Sequence, residues 1–223
     1  MTDLAEWAAE RPLFTVDEAQ RATGLGRASL LERLSRMTRR GDLRRVERGK
    51  YTAHDDPVVY ATYVETPSYL SFWSGLRFYD LTTQQPTGVQ VVCAVNRHDL
   101  PSISFYSASD LLGFGRERYD RFEVFVAEEE RLLLDCLSRD VVPVSELGEL
   151  VAAVDVDVAV EYADRLGRKA VKKRLGYLLE VVRDRTVEAL QVPDRNYPLL
   201  DLTRPAEGET DARWRIRVNA DVV

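Results

Sequence analysis

Between Arg27 and Arg40 the apolar side chains recur at the spacing of a helix. At about 100° per residue, Leu30, Leu31, Leu34, Met37 and Thr38 fall on one side, and Ser29, Glu32, Arg33, Arg36, Arg39 and Arg40 on the other. One face is built to pack and the other is cationic. Gly41 stands where a helix ends on a residue able to take positive φ. Residues 42–46 then read as a short strand carrying Arg44 and Arg45, residues 48–50 as a turn, and Tyr51-Thr52 as the start of a return strand. Helix, glycine, strand, basic turn and strand follow one another in the order of a recognition helix and its wing. Upstream, Thr15 with Glu18 three residues on has the spacing of a capping box for a helix over 16–22. Residues 4–10 form a short helix before it, and residues 23–26 supply the turn, with Leu25 as its apolar plug.

The pattern changes at His54-Asp55-Asp56-Pro57, a polar break read as a linker between an N-terminal domain of residues 1–55 and a C-terminal domain of residues 57–223. His54 has no partner cluster and counts as a linker residue. A helix is expected over 58–64. A second is expected to open at Thr66-Pro67, with Pro67 at its first position, and to run through Tyr69, Leu70, Trp73 and Leu76 to Tyr79. Apolar runs at 89–95, 103–106 and 122–126 predict buried strands. Helices follow over 128–137, 145–151, 156–166 and 168–190, the last with Val171, Leu175, Leu178, Leu179 and Val182 as its core stripe. Residues 204–212 are a solvated loop, and 214–218 a half-buried closing strand. The expected fold class is α+β: a winged helix-turn-helix followed by a mixed domain with a small sheet and several helices.

Charge sharpens this picture. Residues 26–50 hold nine Arg or Lys against three acids, a local net of +6 inside a chain whose net charge is -6. A cationic island on an acidic protein suits phosphate binding, which draws its affinity from released counterions. The expected partner is double-stranded operator DNA. Arg27, Ser29 and Arg33 are placed to reach base edges, Arg36 and Arg40 extend the cationic face, and Arg44, Arg45, Arg48 and Lys50 hold the backbone. Further along, Arg165, Lys169, Lys172 and Lys173 share a helix face, readable either as a second nucleic-acid contact or as a solvated surface.

The features of an enzyme are missing. No G-x-S-x-G elbow accompanies His98-Asp99, Gly113-Phe114-Gly115 lacks the rest of a phosphate loop, and the spacing of Asp80, Asp99, Asp110 and Asp120 carries no metal-ligand logic. With two histidines and two cysteines, Cys93 and Cys136, each in an apolar context, no metal or cofactor is expected and both thiols are expected to be buried and reduced. No apolar run is long enough to span a membrane, and a cytoplasmic location is expected. Arg outnumbers Lys 27 to 4, a bias of genome or salt environment with no bearing on mechanism.

Several stretches together resemble the AbiEi-type antitoxins, winged-helix regulators of abortive-infection (type IV) toxin-antitoxin operons. They are LRRVERGKY (43–51), SYLSFWSGL (68–76) followed by TTQQP (82–86), AEEERLLLDCL (127–137), RLGYLLE (174–180) and WRIRVN (214–219). The resemblance implies a DNA-binding N-terminal domain that represses its own operon in viral defence. It also implies a C-terminal domain conferring antitoxicity, and a nucleotidyltransferase-like toxin that is opposed without a stable complex. The sequence leaves the oligomeric state open. It also leaves a different class open, a winged-helix regulator whose C-terminal domain senses a small ligand.

Overall fold

The computed structural model describes residues 3–222. Its N-terminal elements are fixed by local chemistry. Asp3 caps helix α1 (Leu4–Ala9) by accepting the Ala5 amide at 2.9 Å. After strand β1 (Phe14–Thr15), the Thr15 hydroxyl accepts the Glu18 amide at 3.2 Å while the Glu18 carboxylate accepts the Thr15 amide at 2.7 Å. This reciprocal pair satisfies two otherwise orphaned donors and starts helix α2 (Val16–Thr23) where the sequence places it. Gly24, at φ 70°, ends α2, and Gly41, at φ 85°, ends helix α3 (Arg27–Arg40), with the Asp42 amide closing on the Met37 carbonyl at 3.0 Å.

Strands β2 (Arg44–Glu47) and β3 (Lys50–Thr52) form an antiparallel ribbon, and β1 completes a sheet of order β1-β3-β2. Leu30, Leu34 and Met37 of α3 pack with Phe14, Val16, Ala19, Leu43 and Tyr51 into one core. The Phe14 and Tyr51 rings stack at 6.0 Å, and Trp7 meets Phe14 edge-on at 5.2 Å. Leu31 departs from expectation: it is 43 % exposed. The stripe is narrower than the sequence suggested, because residues i, i+4 and i+7 already fill it and Leu31 lies about 100° past Leu30.

The segment after β3 is packed rather than free. The His54 ring lies edge-on to Phe122 at 4.7 Å with Nε2 3.0 Å from the Arg11 carbonyl, and the Thr52 hydroxyl donates to the Pro12 carbonyl at 2.6 Å. Asp56 caps helix α4 (Pro57–Val64) through the Val58 amide at 2.9 Å. His54 is thus a packing residue, not a linker residue.

A five-stranded sheet follows, of order β6-β5-β4-β8-β7, from β4 (Ser68–Leu70), β5 (Val89–Cys93), β6 (Ile103–Ser107), β7 (Phe114–Tyr119) and β8 (Phe122–Ala127). β5 runs antiparallel to β4 and parallel to β6. The helix expected to run from Pro67 to Tyr79 forms only over Phe72–Phe78; its first turn is replaced by β4, because Ser68, Tyr69 and Leu70 are all buried and pair with Cys93, Val92 and Val91. Sheet pairing overrides the local helix signal there. β7 has no sequence signal, since Arg116, Glu117 and Arg118 are exposed on an edge strand that buries little.

The chain divides into two compact units. The first takes the chain through Leu70, then Thr87–Ser109 and Arg116–Phe125; the second holds Ser71–Pro86, Asp110–Gly115 and the chain from Val126 on. The break expected at residues 54–57 therefore falls inside the first unit.

In the second unit the central element is helix α6 (Glu129–Ser138), in which every side chain from Arg131 to Leu137 is buried. Helices α5 (Phe72–Phe78), α7 (Gly148–Ala153), α8 (Val156–Leu166) and α9 (Lys169–Arg183) pack on it. Its two buried charges meet each other, Arg131 Nε donating to Asp135 at 3.0 Å, and Ser71 donates to the same carboxylate at 2.9 Å. The helix expected over 145–151 is a 3₁₀ turn, Val144–Glu146, followed by α7, and the long terminal helix stops at Arg183 with Asp184 in the left-handed region.

Strands β9 (Glu209–Asp211) and β10 (Ile216–Val218) form an antiparallel pair. Trp214 beside them is buried, its indole N–H donating to Glu180 at 2.6 Å. Cys93 and Cys136 are both buried and unbridged, and burial pushes the Cys136 thiol well above its ordinary range.

Gly176 of α9 has no room for a side chain: a Cβ there would stand 2.0 Å from the Trp214 ring. Gly176→Ala is expected to lower stability by about 1–3 kcal/mol through overpacking. Trp214→Leu in the same chain should recover part of that loss, so thermal unfolding of the single and double variants should show less than additive destabilisation.

Candidate nucleic-acid interface

α3 is held by one stripe, and the rest of its circumference faces outward. Ala28, Ser29, Leu31, Glu32, Ser35, Arg36, Arg39 and Arg40 are exposed, while Arg33 lies half-buried at the margin with a guanidinium nitrogen 3.7 Å from Asp3. The outward arc is therefore rotated from the sequence expectation, towards Leu31 and away from Arg33. Arg27 begins the helix and donates to Asp17 of α2 at 2.6 Å. The hydrogen bond and charge of Arg27 hold the Asp17 carboxyl below its ordinary value. This exposed pair links α2 to the first residue of α3.

The ribbon continues the cationic surface. Arg44 donates to Asp55 at 2.6 Å, and Arg45 reaches the Glu47 carbonyl at 3.4 Å. Arg36, Arg40 and Arg48 are exposed and form no ion pair among the described residues. They stand ready for an external anion without a partner to displace.

Lys50 is placed differently. Its ammonium donates to the Glu47 carboxylate at 2.9 Å and to the Val64 carbonyl, so a residue expected to grip the DNA backbone is turned into the base of the ribbon. The reason is burial: half-covered on β3, the ammonium must find partners inside. Glu47 is also gripped by Arg97 at 2.5 Å, and the same guanidinium reaches Glu65 at 3.1 Å and lies over the Phe105 ring at 4.3 Å. Arg97, from the loop after β5, thus ties the ribbon to the sheet of its own unit. Its planar fork suits two carboxylates at once. The sequence offered no signal for it, since a lone arginine among loop residues looks like any other.

The basic group in the second unit does not form a common surface. Lys173 is 1 % exposed and donates to Asp194 and to the Asn196 carbonyl, both at 2.5 Å. Lys172 pairs with Asp164, and Lys169 approaches Asp194 to 3.9 Å. Arg165 alone of the four is exposed without an ion pair among the described residues. Lys173 is a core cation that fixes the loop at residues 194–196, and the hydrogen bond from it holds the Asp194 carboxyl below its ordinary value. Neighbouring Arg174 is buried as well, donating to the Leu137 and Leu199 carbonyls at 2.7 Å, and desolvation lowers its pKa to about 10.

Asp99 accepts the Phe105 amide at 2.8 Å, a loop staple. Among the described residues, no three His, Cys, Asp or Glu side chains cluster as metal ligands, and no helix is long and apolar enough to cross a membrane.

Two helices joined by a tight glycine turn, a cationic outer helix and a basic ribbon thus follow one another within a single continuous segment, residues 16–52. Residues 3–54 match the family described as transcriptional regulator, AbiEi antitoxin, so the resemblance read from the sequence holds over this segment. No curated protein matches the chain in sequence. Among solved structures, the chain is similar to the crystal structure of the RV2827C protein from Mycobacterium tuberculosis, with a TM-score of 0.65 and 14 % identity over 96 % of this chain and 89 % of that one. At that identity the likeness is one of fold, and it extends across both units.

The Glu47 hub makes a pH-dependent prediction. Burial would raise this carboxyl, but hydrogen bonds from Lys50 and Arg97 outweigh it and leave the group below its ordinary value. A carboxyl lowered in the folded state stabilises above its unfolded pKa, and that contribution is lost as pH falls through the folded one. Wild type should therefore melt above Glu47→Gln at neutral pH, with the gap closing as pH falls through and below the ordinary carboxylate range. A gap independent of pH would remove the hub from the stability of the ribbon.

Proposed function

We propose that this protein is an autorepressing antitoxin of a viral-defence toxin-antitoxin operon, binding operator DNA through a winged helix-turn-helix. On this reading α3 is the recognition helix and the β2–β3 ribbon the wing. The observation that carries it is the coincidence of two independent features over one segment. Residues 3–54 match a family of transcriptional regulators and antitoxins, and the same residues turn Arg36, Arg40, Arg45 and Arg48 outward. The opposed partner would be a nucleotidyltransferase-like toxin, countered by the second unit without a stable complex, and the protein would be cytoplasmic and without catalytic activity. Lys50 leaves the set of DNA contacts on this reading, and so do Lys172 and Lys173.

A second reading, a regulator that senses a small ligand, is favoured by an open cleft in the second unit of about 440 Å³, lined by Lys169, Asn196 and Tyr197 among others. Its size falls in the range of small-molecule sites. Calorimetric titration of the full chain with anionic metabolites separates the two, since an antitoxin of this kind needs no such ligand to bind its operator.

Two outcomes test the main reading in the intact protein. Arg45→Ala with Arg48→Ala should lower the slope of log affinity against log salt by about two on DNA from upstream of the gene, one unit per lost phosphate contact. The same variant should still rescue cells making the toxin encoded beside it, because its second unit is untouched. An unchanged slope would take the ribbon off the DNA, and loss of rescue along with binding would merge the two activities into one site.

A further inference from the structure

The outward arc of α3 carries more than cations. Ala28, Leu31, Glu32 and Ser35 lie in it, with Arg36 and Arg39 beside them. Leu31 is 43 % exposed, one of four large hydrophobic side chains so exposed among the described residues. A single exposed leucine on an ordinary surface needs no explanation. This one stands on the most cationic face of the chain, where the expected ligand is a polyanion and an apolar side chain contributes nothing to phosphate binding. The floor of the DNA major groove does offer it a partner, since the C5-methyl of thymine is the apolar group displayed there.

Glu32 is the second feature out of keeping with a purely electrostatic grip. It is exposed next to Leu31, forms no ion pair among the described residues, and points the same way as the arginines. Phosphates would repel it. The exocyclic amine of cytosine, deep in the groove and away from the backbone, is a donor that a carboxylate accepts from. Ala28 and Leu31 are separated by about 4.5 Å along the helix axis. That exceeds the roughly 3.4 Å rise of one base pair by about 1 Å and falls short of two, so the two would meet neighbouring steps.

Resting on the DNA-binding reading above, we propose that Leu31, with Ala28, reads thymine methyl groups at adjacent base pairs and that Glu32 reads a cytosine beside them. The surrounding arginines set affinity and register, and these three side chains set which sequence is bound. Specificity thus lies with residues on the helix that carry no positive charge.

The experiment uses the full-length protein and a randomised duplex library, from which bound sequences are enriched and a consensus derived. Each thymine of the consensus is then replaced singly by deoxyuracil, which removes the methyl and nothing else. Affinity should fall about fourfold at one or two positions, the effect of losing one buried methyl. It should be unchanged at the others. Leu31→Ala should abolish the thymine preference at those positions while leaving the salt slope as in wild type. Glu32→Gln should relax the cytosine preference at the neighbouring pair by about tenfold. A consensus that tolerates uracil throughout, or a thymine preference that survives Leu31→Ala, would overturn the proposal and leave DNA binding intact. A library that yields no consensus would overturn the proposal by removing sequence-specific DNA binding itself.

Discussion

The placing of Leu30, Leu34 and Met37 on Phe14 and Tyr51 is the constraint on which the rest of the N-terminal surface depends. Three buried side chains, each contributing about 1.5–3 kcal/mol of burial free energy, fix the rotation of α3 about its axis. Once that rotation is set, the remaining residues have no choice of direction. A stripe one residue wider would have buried Leu31 and swung Arg33 outward, giving a different outward face from nearly the same sequence. The narrowness of the packing, more than the number of arginines, decides what the helix presents.

Electrostatics is divided in the same economical way. Cations on α3 and at the tip of the ribbon either stand unpaired or pair with exposed acids that solvent already screens, as Arg27 does with Asp17 and Arg44 with Asp55. Cations nearer the body of each unit, Lys50, Arg97, Lys173 and Arg174, are committed to carboxylates and carbonyls. An external anion competes more readily for the first group than for the second, whose partners lie within the fold.

What could be read from the sequence was whatever local chemistry controls. The Thr15–Glu18 box, the terminating glycines and the amphipathic period of α3 are set within a few residues, and the helices over 128–137 and 156–166 announce themselves in the same way. What escaped was controlled from afar. β4 forms because β5 is there to pair with it, against a proline that signals a helix start. Lys50 and Lys173 look like surface lysines until Glu47 and Asp194 arrive from elsewhere in the fold. Arg97 lies 50 residues from the carboxylate that it holds, beyond any pattern that spacing can reveal.

That separation bears on how such a protein can change over generations. The segment that matches a regulator family ends at residue 54, and it would look like a cassette that recombination could splice onto any effector. Yet Glu47 at the foot of its ribbon is satisfied by Arg97, which also grips Glu65, and both belong to later stretches of the same compact unit. A splice at residue 54 would carry off the carboxylate and leave its guanidinium behind. Exchange of the N-terminal segment between proteins should therefore favour junctions beyond Phe125, where the whole first unit travels together with the stretches threaded through it. A crossover nearer the family boundary would leave Glu47 with Lys50 alone.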